Sequence, residues 1–181
     1  MARLLELYKS QIVPALQESL GVRNRMAVPR LEKIVVSMGI GEASREKTKM
    51  DEAVESLTRI TGQKPQLRRA KKSVSNFKIR VGMPVGCRVT LRGRRMYEFV
   101  DRLVNAAVPR LRDFRGLNPR SFDGHGNYSM GIADESIFPE AGQGVLGQSQ
   151  GMNITFITTA KNDTQGRELL TRMGMPFRRT E

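Results

Sequence analysis

Apolar residues along the chain recur at two periods. From Leu31 to Met38 they alternate, with Ile34, Val36 and Met38 on one side and Lys33, Val35 and Ser37 on the other, the period of a strand that Gly39 and Gly41 close. Val85, Cys87, Val89 and Leu91 alternate in the same way with Gly86, Arg88, Thr90 and Arg92, and Ile154 and Phe156 alternate with Asn153, Thr155, Ile157 and Thr159. Weaker strand patterns run over Gln66 to Ala70 and Asn127 to Ile132. Helical spacing governs Met50, Ala53, Val54, Leu57 and Ile60, ended by Gly62 and Pro65, and also Met96, Val100, Leu103, Val104 and Ala107, ended near Pro109. Leu169, Leu170 and Met173 give a last helix over Asp163 to Met173. Leu4, Leu7, Ile12 and Leu16 make Met1 to Leu20 an amphipathic helix that stops at Gly21 and that Pro14 bends or breaks.

After the first helix the order is strand, helix, strand, strand, helix, strand, strand, helix. That order predicts an α+β fold, a mainly antiparallel sheet with helices packed on one face and the other face open, in a single domain over residues 1–181. Lys71 to Pro84 is polar and interrupted by Gly82, so it reads as a long protruding loop, while Gly142, Gly144, Gly147 and Gly151 make Pro139 to Gly151 a mobile one. The open sheet face collects Lys33, Ser37, Arg88, Thr90, Arg92, Asn153, Thr155 and Thr159, which offer hydrogen bonds to phosphates, ribose hydroxyls and base edges. Antiparallel sheets also commonly face water on one side and strands favour Thr, so this face alone is even evidence.

Charge changes the balance. The 181 residues hold 31 Lys plus Arg against 18 Asp plus Glu, a formal charge of +13. Ser56 to Tyr97 contains no acid, yet holds Arg59, Lys64, Arg68, Arg69, Lys71, Lys72, Lys78, Arg80, Arg88, Arg92, Arg94 and Arg95. Nearly all the excess thus belongs to one window. Solvated faces normally mix signs because like charges repel, so an unmixed run points to a polyanionic partner. Nucleic acid fits better than a membrane surface, because Arg68 to Arg80 carries Ser73, Ser75 and Asn76 and no broad apolar stripe. Phe77 on this loop either stacks on a base or packs against the loop base.

Other chemistries find little support. One Cys and one His supply neither an intrachain disulfide nor a usual Cys/His zinc site, no cofactor is expected, and Cys87 reads as a small buried hydrophobe. Arg3, Glu6, Lys9 and Glu18 interrupt the first segment, so it resembles no signal peptide, and no stretch is long and apolar enough for a membrane span. A reducing, cytoplasmic setting with no membrane partner is the expectation. Asp123 and His125 stand two residues apart, but their Gly-rich flanks suggest a turn rather than an acid/base pair. Gly142, Gly144 and Gly147 fit a weak phosphate-loop pattern with neither a preceding strand nor a following helix. An enzyme is the minority reading, behind an RNA-binding structural protein or a stand-alone RNA-binding regulatory protein.

Long motifs narrow the choice. LTRITGQKPQLRRAKKSVS at Leu57 to Ser75, followed by NFKIRVGMPVGCRVTLRGRRMYEF at Asn76 to Phe99, resembles the bacterial large-subunit ribosomal protein L-five family. VPRLEKIVVSMGIGEA at Val28 to Ala43, VPRLRDFRGLNPRSFDGHGNYSMGI at Val108 to Ile132, IFPE at Ile137 to Glu140, ITFITTAK at Ile154 to Lys161 and MPFR at Met175 to Arg178 extend the resemblance over essentially the whole chain. It implies a non-enzymatic ribosomal protein whose open sheet face binds 5S rRNA in the central protuberance, beside large-subunit rRNA. On that resemblance the 5S rRNA site comprises Lys33, Ser37, Gln63, Lys64, Arg88, Thr90 and Arg92. The loop carrying Lys71, Lys72, Ser73, Asn76, Phe77, Lys78 and Arg80 resembles the segment that reaches P-site tRNA. Arg110, Arg112, Asp113 and Arg115 lie in the part that meets a small-subunit head protein in an intersubunit bridge. The chain departs from the family pattern at Ser37, where Asn is usual, at His125, where Arg is usual, at Asn153, where Asp is common, and in the loop at Ala141 to Gly151. The sequence leaves open whether the source is a bacterium or an organelle.

Overall fold

A computed structural model of the chain describes residues 2–41, 47–112, 114–141 and 150–178. Among these, five helices and five strands follow the order read from the pattern: α1 Arg3–Leu7, α2 Val13–Leu20, β1 Leu31–Gly39, α3 Lys47–Thr61, β2 Gln66–Arg69, β3 Pro84–Leu91, α4 Gly93–Arg102, β4 Tyr128–Ile132, β5 Met152–Thr158 and α5 Asp163–Arg172. The strands make one antiparallel sheet in the order β2-β3-β1-β5-β4. Burial alternates as expected: Ile34, Val36 and Met38 on β1, Cys87, Val89 and Leu91 on β3, and Ile154 and Phe156 on β5 are buried, while their neighbours Lys33, Ser37, Arg88, Thr90 and Thr155 are only half-buried. One face therefore carries the core and the other is open.

By contacts the chain divides into two compact units. The first comprises Met1–Ile34, Leu91–Met130 and Thr155–Glu181. Here the expected bend at Pro14 takes the form of a π-helical turn, Tyr8–Ile12, joining α1 to α2, in which the Val13 N–H donates to the Tyr8 carbonyl. A residue is accommodated there because Pro14 has no N–H to continue the regular ladder. Pro109 has the same effect on α4, which passes into a π turn at Leu103–Ala107 and a 3-10 turn at Val108–Arg110. The Tyr8 and Tyr97 rings lie 6.0 Å apart, and the Arg3 guanidinium bonds the Asp101 carboxylate at 2.6 Å, tying α1 to α4. Phe122, Tyr128 and Phe177 form an aromatic cluster, with Phe156 next to Tyr128.

The second unit comprises Val35–Thr90 and Gly131–Ile154. Leu57 and Ile60 of α3 are fully buried, as are Val36 and Ile154 of the strands. Gly86 fixes the approach of β3 to β1, since a side chain there would collide with the carbonyl oxygen of Met38. Among the few buried polar groups is Glu135, whose carboxylate accepts a 2.7 Å bond from the Ser56 hydroxyl. Burial raises the Glu135 carboxyl above its ordinary range, against the Ser56 bond that favours the ionised form, and nearby Asp134 adds to the rise.

Candidate nucleic-acid interface

Within the second unit, β2 and β3 pair as an antiparallel hairpin in which Gln66 faces Arg88 and Leu67 faces Cys87. The segment between them, read from the sequence as a long protruding loop, is internally hydrogen-bonded. The Ala70 N–H donates to Met83 O and the Gly82 N–H to Ala70 O, at 2.8 and 3.0 Å. Farther along, Val74 and Ile79 exchange both backbone bonds as an isolated antiparallel bridge, and the Lys78 N–H closes a turn on Ser75 O at 2.9 Å. Lys78 takes a left-handed φ of +54° at that turn, which a non-glycine residue adopts only where its surroundings hold it. The Ser73 hydroxyl accepts from the Val81 N–H and stiffens the opposite side.

Order here serves exposure rather than burial. Lys71, Lys72, Ser73, Asn76, Lys78 and Arg80 are all exposed, and Phe77 is 72% exposed, so it does not pack against the hairpin base. Val74 and Val81 add exposed apolar surface beside the cations. Among the described residues, Lys64, Arg68, Arg69, Lys71, Lys72, Lys78, Arg80, Arg88 and Arg95 have no carboxylate within ion-pair distance, whereas Arg59 pairs with Glu55 and Arg94 with Glu98. This hairpin can bind phosphates without first breaking an internal ion pair, and Phe77 offers a stacking face.

The open-face residues fall into two groups. In the second unit Ser37 and Arg88 are half-buried and Lys64 is exposed, while Gln63 follows Gly62, whose φ of +66° ends α3. The Gln63 side-chain amide donates to the Thr90 carbonyl at 3.4 Å, which brings those two candidates together and leaves the Gln63 amide oxygen and the Thr90 hydroxyl able to bond a ligand. In the first unit the side chain of Arg92 is 61% exposed, and it shares a counter-ion with Lys33: Glu32 Oε1 lies 3.8 Å from Lys33 Nζ and 3.9 Å from Arg92 Nη1. Glu32 escaped the sequence reading, although its place next to Lys33 was a signal.

Comparison with known proteins decides the family. Residues 24–80 match ribosomal protein L5, and residues 84–177 match the ribosomal L5P family C-terminus. The large ribosomal subunit protein uL5 of Rubrobacter xylanophilus is 57% identical over 178 residues, 98% of this chain and 99% of that protein. Those of Natranaerobius thermophilus and Alkaliphilus oremlandii are 52% and 55% identical over 177 residues, again 98% of this chain and 99% of each protein. The chain belongs to the ribosomal protein L5 family. It is by family a large-subunit ribosomal protein, RNA-binding and non-enzymatic, and its bacterial relatives work on the cytoplasmic ribosome. No helix among the described residues is long and apolar enough to cross a membrane.

The remaining L5 motifs have structural roles where they are described. Asp123, read as an unconvincing partner for His125, binds with its carboxylate the backbone N–H groups of His125 and Asn127 and the Asn127 side-chain amide, at 2.9, 3.1 and 2.7 Å. The Asn127 amide chiefly holds the Asp123 carboxyl below its ordinary range. Gly126 then lies directly against Gly166 of α5, where a side chain on either would clash. His125 is exposed at this turn. Arg110, Arg112 and Arg115 lie on the surface of the first unit, and Asp113 falls outside the described residues, as do Gly142, Gly144 and Gly147. Among the described residues no cluster of His, Cys, Asp or Glu could hold a metal.

Proposed function

We propose that this L5-family chain holds 5S rRNA in the central protuberance through the open sheet face, using Lys33, Ser37, Gln63, Lys64, Arg88, Thr90 and Arg92. The β2–β3 hairpin, with Lys71, Lys72, Ser73, Asn76, Phe77, Lys78 and Arg80, reaches P-site tRNA. Arg110, Arg112, Asp113 and Arg115 meet a small-subunit head protein in an intersubunit bridge, and large-subunit rRNA completes the surroundings. The observation that carries this reading is the acid-free window, whose hairpin cations Lys71, Lys72, Lys78 and Arg80 stand exposed and, like Arg88 on the sheet, have no carboxylate partner among the described residues. The half-buried Ser37 offers one hydroxyl where the family usually has an amide.

The test is 5S rRNA binding across a salt series. Lys33→Ala and Arg92→Ala should each weaken binding and lower the salt slope by about 0.7–0.9 for every phosphate that is no longer neutralised. The melting temperature of Arg92→Ala should stay close to wild type, because exposed substitutions usually shift stability within about 0.5 kcal/mol, and that of the half-buried Lys33→Ala should fall by little more, since its only ion pair among the described residues is a weak one. If both variants unfold early and bind normally once folded, the assignment of the face is wrong. Failure of the chain to co-sediment with large subunits at native salt would favour a stand-alone RNA-binding regulator.

A further inference from the structure

Across the whole acid-free window the chain avoids carboxylates, yet one carboxylate oxygen sits between two cations of the candidate 5S rRNA face. Glu32 Oε1 is 3.8 Å from Lys33 Nζ and 3.9 Å from Arg92 Nη1, in side chains that are 49%, 30% and 61% exposed. Exposed pairs of this length add almost nothing to folding stability. Their consequence lies in what else can approach the same cations. A phosphate that bonds Lys33 or Arg92 stands about 6 Å from the negative charge of Glu32.

We propose that Glu32 is a specificity-determining residue of the RNA-binding face, an internal anion that disfavours generic polyanions. The inference rests on the 5S rRNA reading of that face. An RNA without defined shape binds through charge alone, so the repulsion from Glu32 is felt in full and the displaced counterions at Lys33 and Arg92 are fewer. A folded RNA that also reaches Gln63, Thr90 and Arg88 meets the same repulsion. For that RNA, however, a fixed shape lets a ribose hydroxyl or a base N–H stand against Glu32 in place of a phosphate, and the hydrogen bond that the carboxylate then accepts offsets the repulsion. Discrimination arises from a repulsive element acting more strongly on the wrong partner.

The experiment compares wild type, Glu32→Gln and a control, Glu18→Gln, in binding to 5S rRNA and to poly(U). Glu18 is exposed on α2 and has no ion pair among the described residues, so its variant makes the same change in net charge elsewhere. One unit charge about 6 Å from a phosphate in a water-like dielectric corresponds to about a threefold change in affinity. Glu32→Gln should therefore raise poly(U) affinity about threefold and steepen its salt slope by about 0.7. Its 5S rRNA affinity should stay within about twofold of wild type, and Glu18→Gln should change neither. Equal gains on both RNAs, no gain on poly(U), a gain matched by Glu18→Gln, or a loss of 5S rRNA binding would each overturn the proposal. The 5S rRNA reading itself fails separately, by wild type binding 5S rRNA no better than poly(U).

Discussion

The proposed division of labour between sheet and hairpin is open to a sharp test with Lys72, Lys78 and Arg80 replaced together by Ala. All three are exposed, none has a carboxylate partner among the described residues, and the backbone bonds that order the hairpin do not involve their side chains. Folding should therefore be unaffected or slightly favoured, since three like charges leave a crowded segment. If all three bind phosphates, the slope of log affinity against log salt falls by about 2.1–2.7, which makes the ratio of wild-type to variant affinity change about 20–40-fold between 50 and 200 mM salt. The assay is P-site tRNA binding to ribosomes reconstituted with either protein at fixed magnesium, with isolated 5S rRNA binding measured alongside. The expected result is weakened, less salt-sensitive tRNA binding with 5S rRNA binding preserved. A variant that loses 5S rRNA and keeps normal tRNA binding refutes the division and returns the hairpin to the 5S site.

Two predictions concern the core of the second unit. Glu135 has its carboxyl raised by burial, so the folded state holds that proton more tightly than the unfolded chain, and the group's stabilisation is full below the unfolded carboxyl range and lost as pH rises through the folded value. Glu135→Gln keeps an acceptor for Ser56 and should raise the melting temperature at pH 7–8 and flatten its decline above the carboxyl range; a lower melting temperature there would contradict the burial argument. Burial pushes the Cys87 thiol up to about 11, so an aromatic disulfide reagent at pH 8 should modify the native protein only as fast as it opens, and rapid stoichiometric labelling would refute that.

What was legible in the sequence follows from how many residues share a signal. β1, β3 and β5 bury every second residue over Ile34 to Met38, Cys87 to Leu91 and Met152 to Thr158, so alternation set their faces, and with them the half-buried positions of Lys33, Ser37, Arg88 and Thr90. The π turns before Pro14 and Pro109 were invisible beyond the expectation of a break, because proline states that the ladder is interrupted and not how the chain absorbs it. The hairpin interior was missed for a related reason: Val74 and Ile79 form a single bridge, too short for periodicity, and Lys78 turns left-handed without the glycine that usually signals such a turn. Glu32 is shared by Lys33 and by Arg92, and only the folded chain brings residue 92 to residue 32.

The placement of charge also limits what a basic chain loses to repulsion among its own cations. Repulsion among cations is smallest where solvent screens them and where few packed neighbours fix their positions. Lys71, Lys72, Lys78 and Arg80 occupy such a segment, whose shape comes from backbone bonds at Ala70, Val74, Ile79 and Gly82 and not from side-chain packing. The fully buried residues Leu57, Ile60, Leu91, Phe99 and Phe156 lie on other elements, so the core bears little of the electrostatic cost. Some cations on β1 and at the start of α4 do have acids, Glu32 for Lys33 and Arg92 and Glu98 for Arg94, whereas Arg88 on β3 and Arg95 on α4 have none among the described residues. On the hairpin, charge is thus left uncompensated where removing it should not cost the fold, which is why binding and stability should respond to different substitutions there.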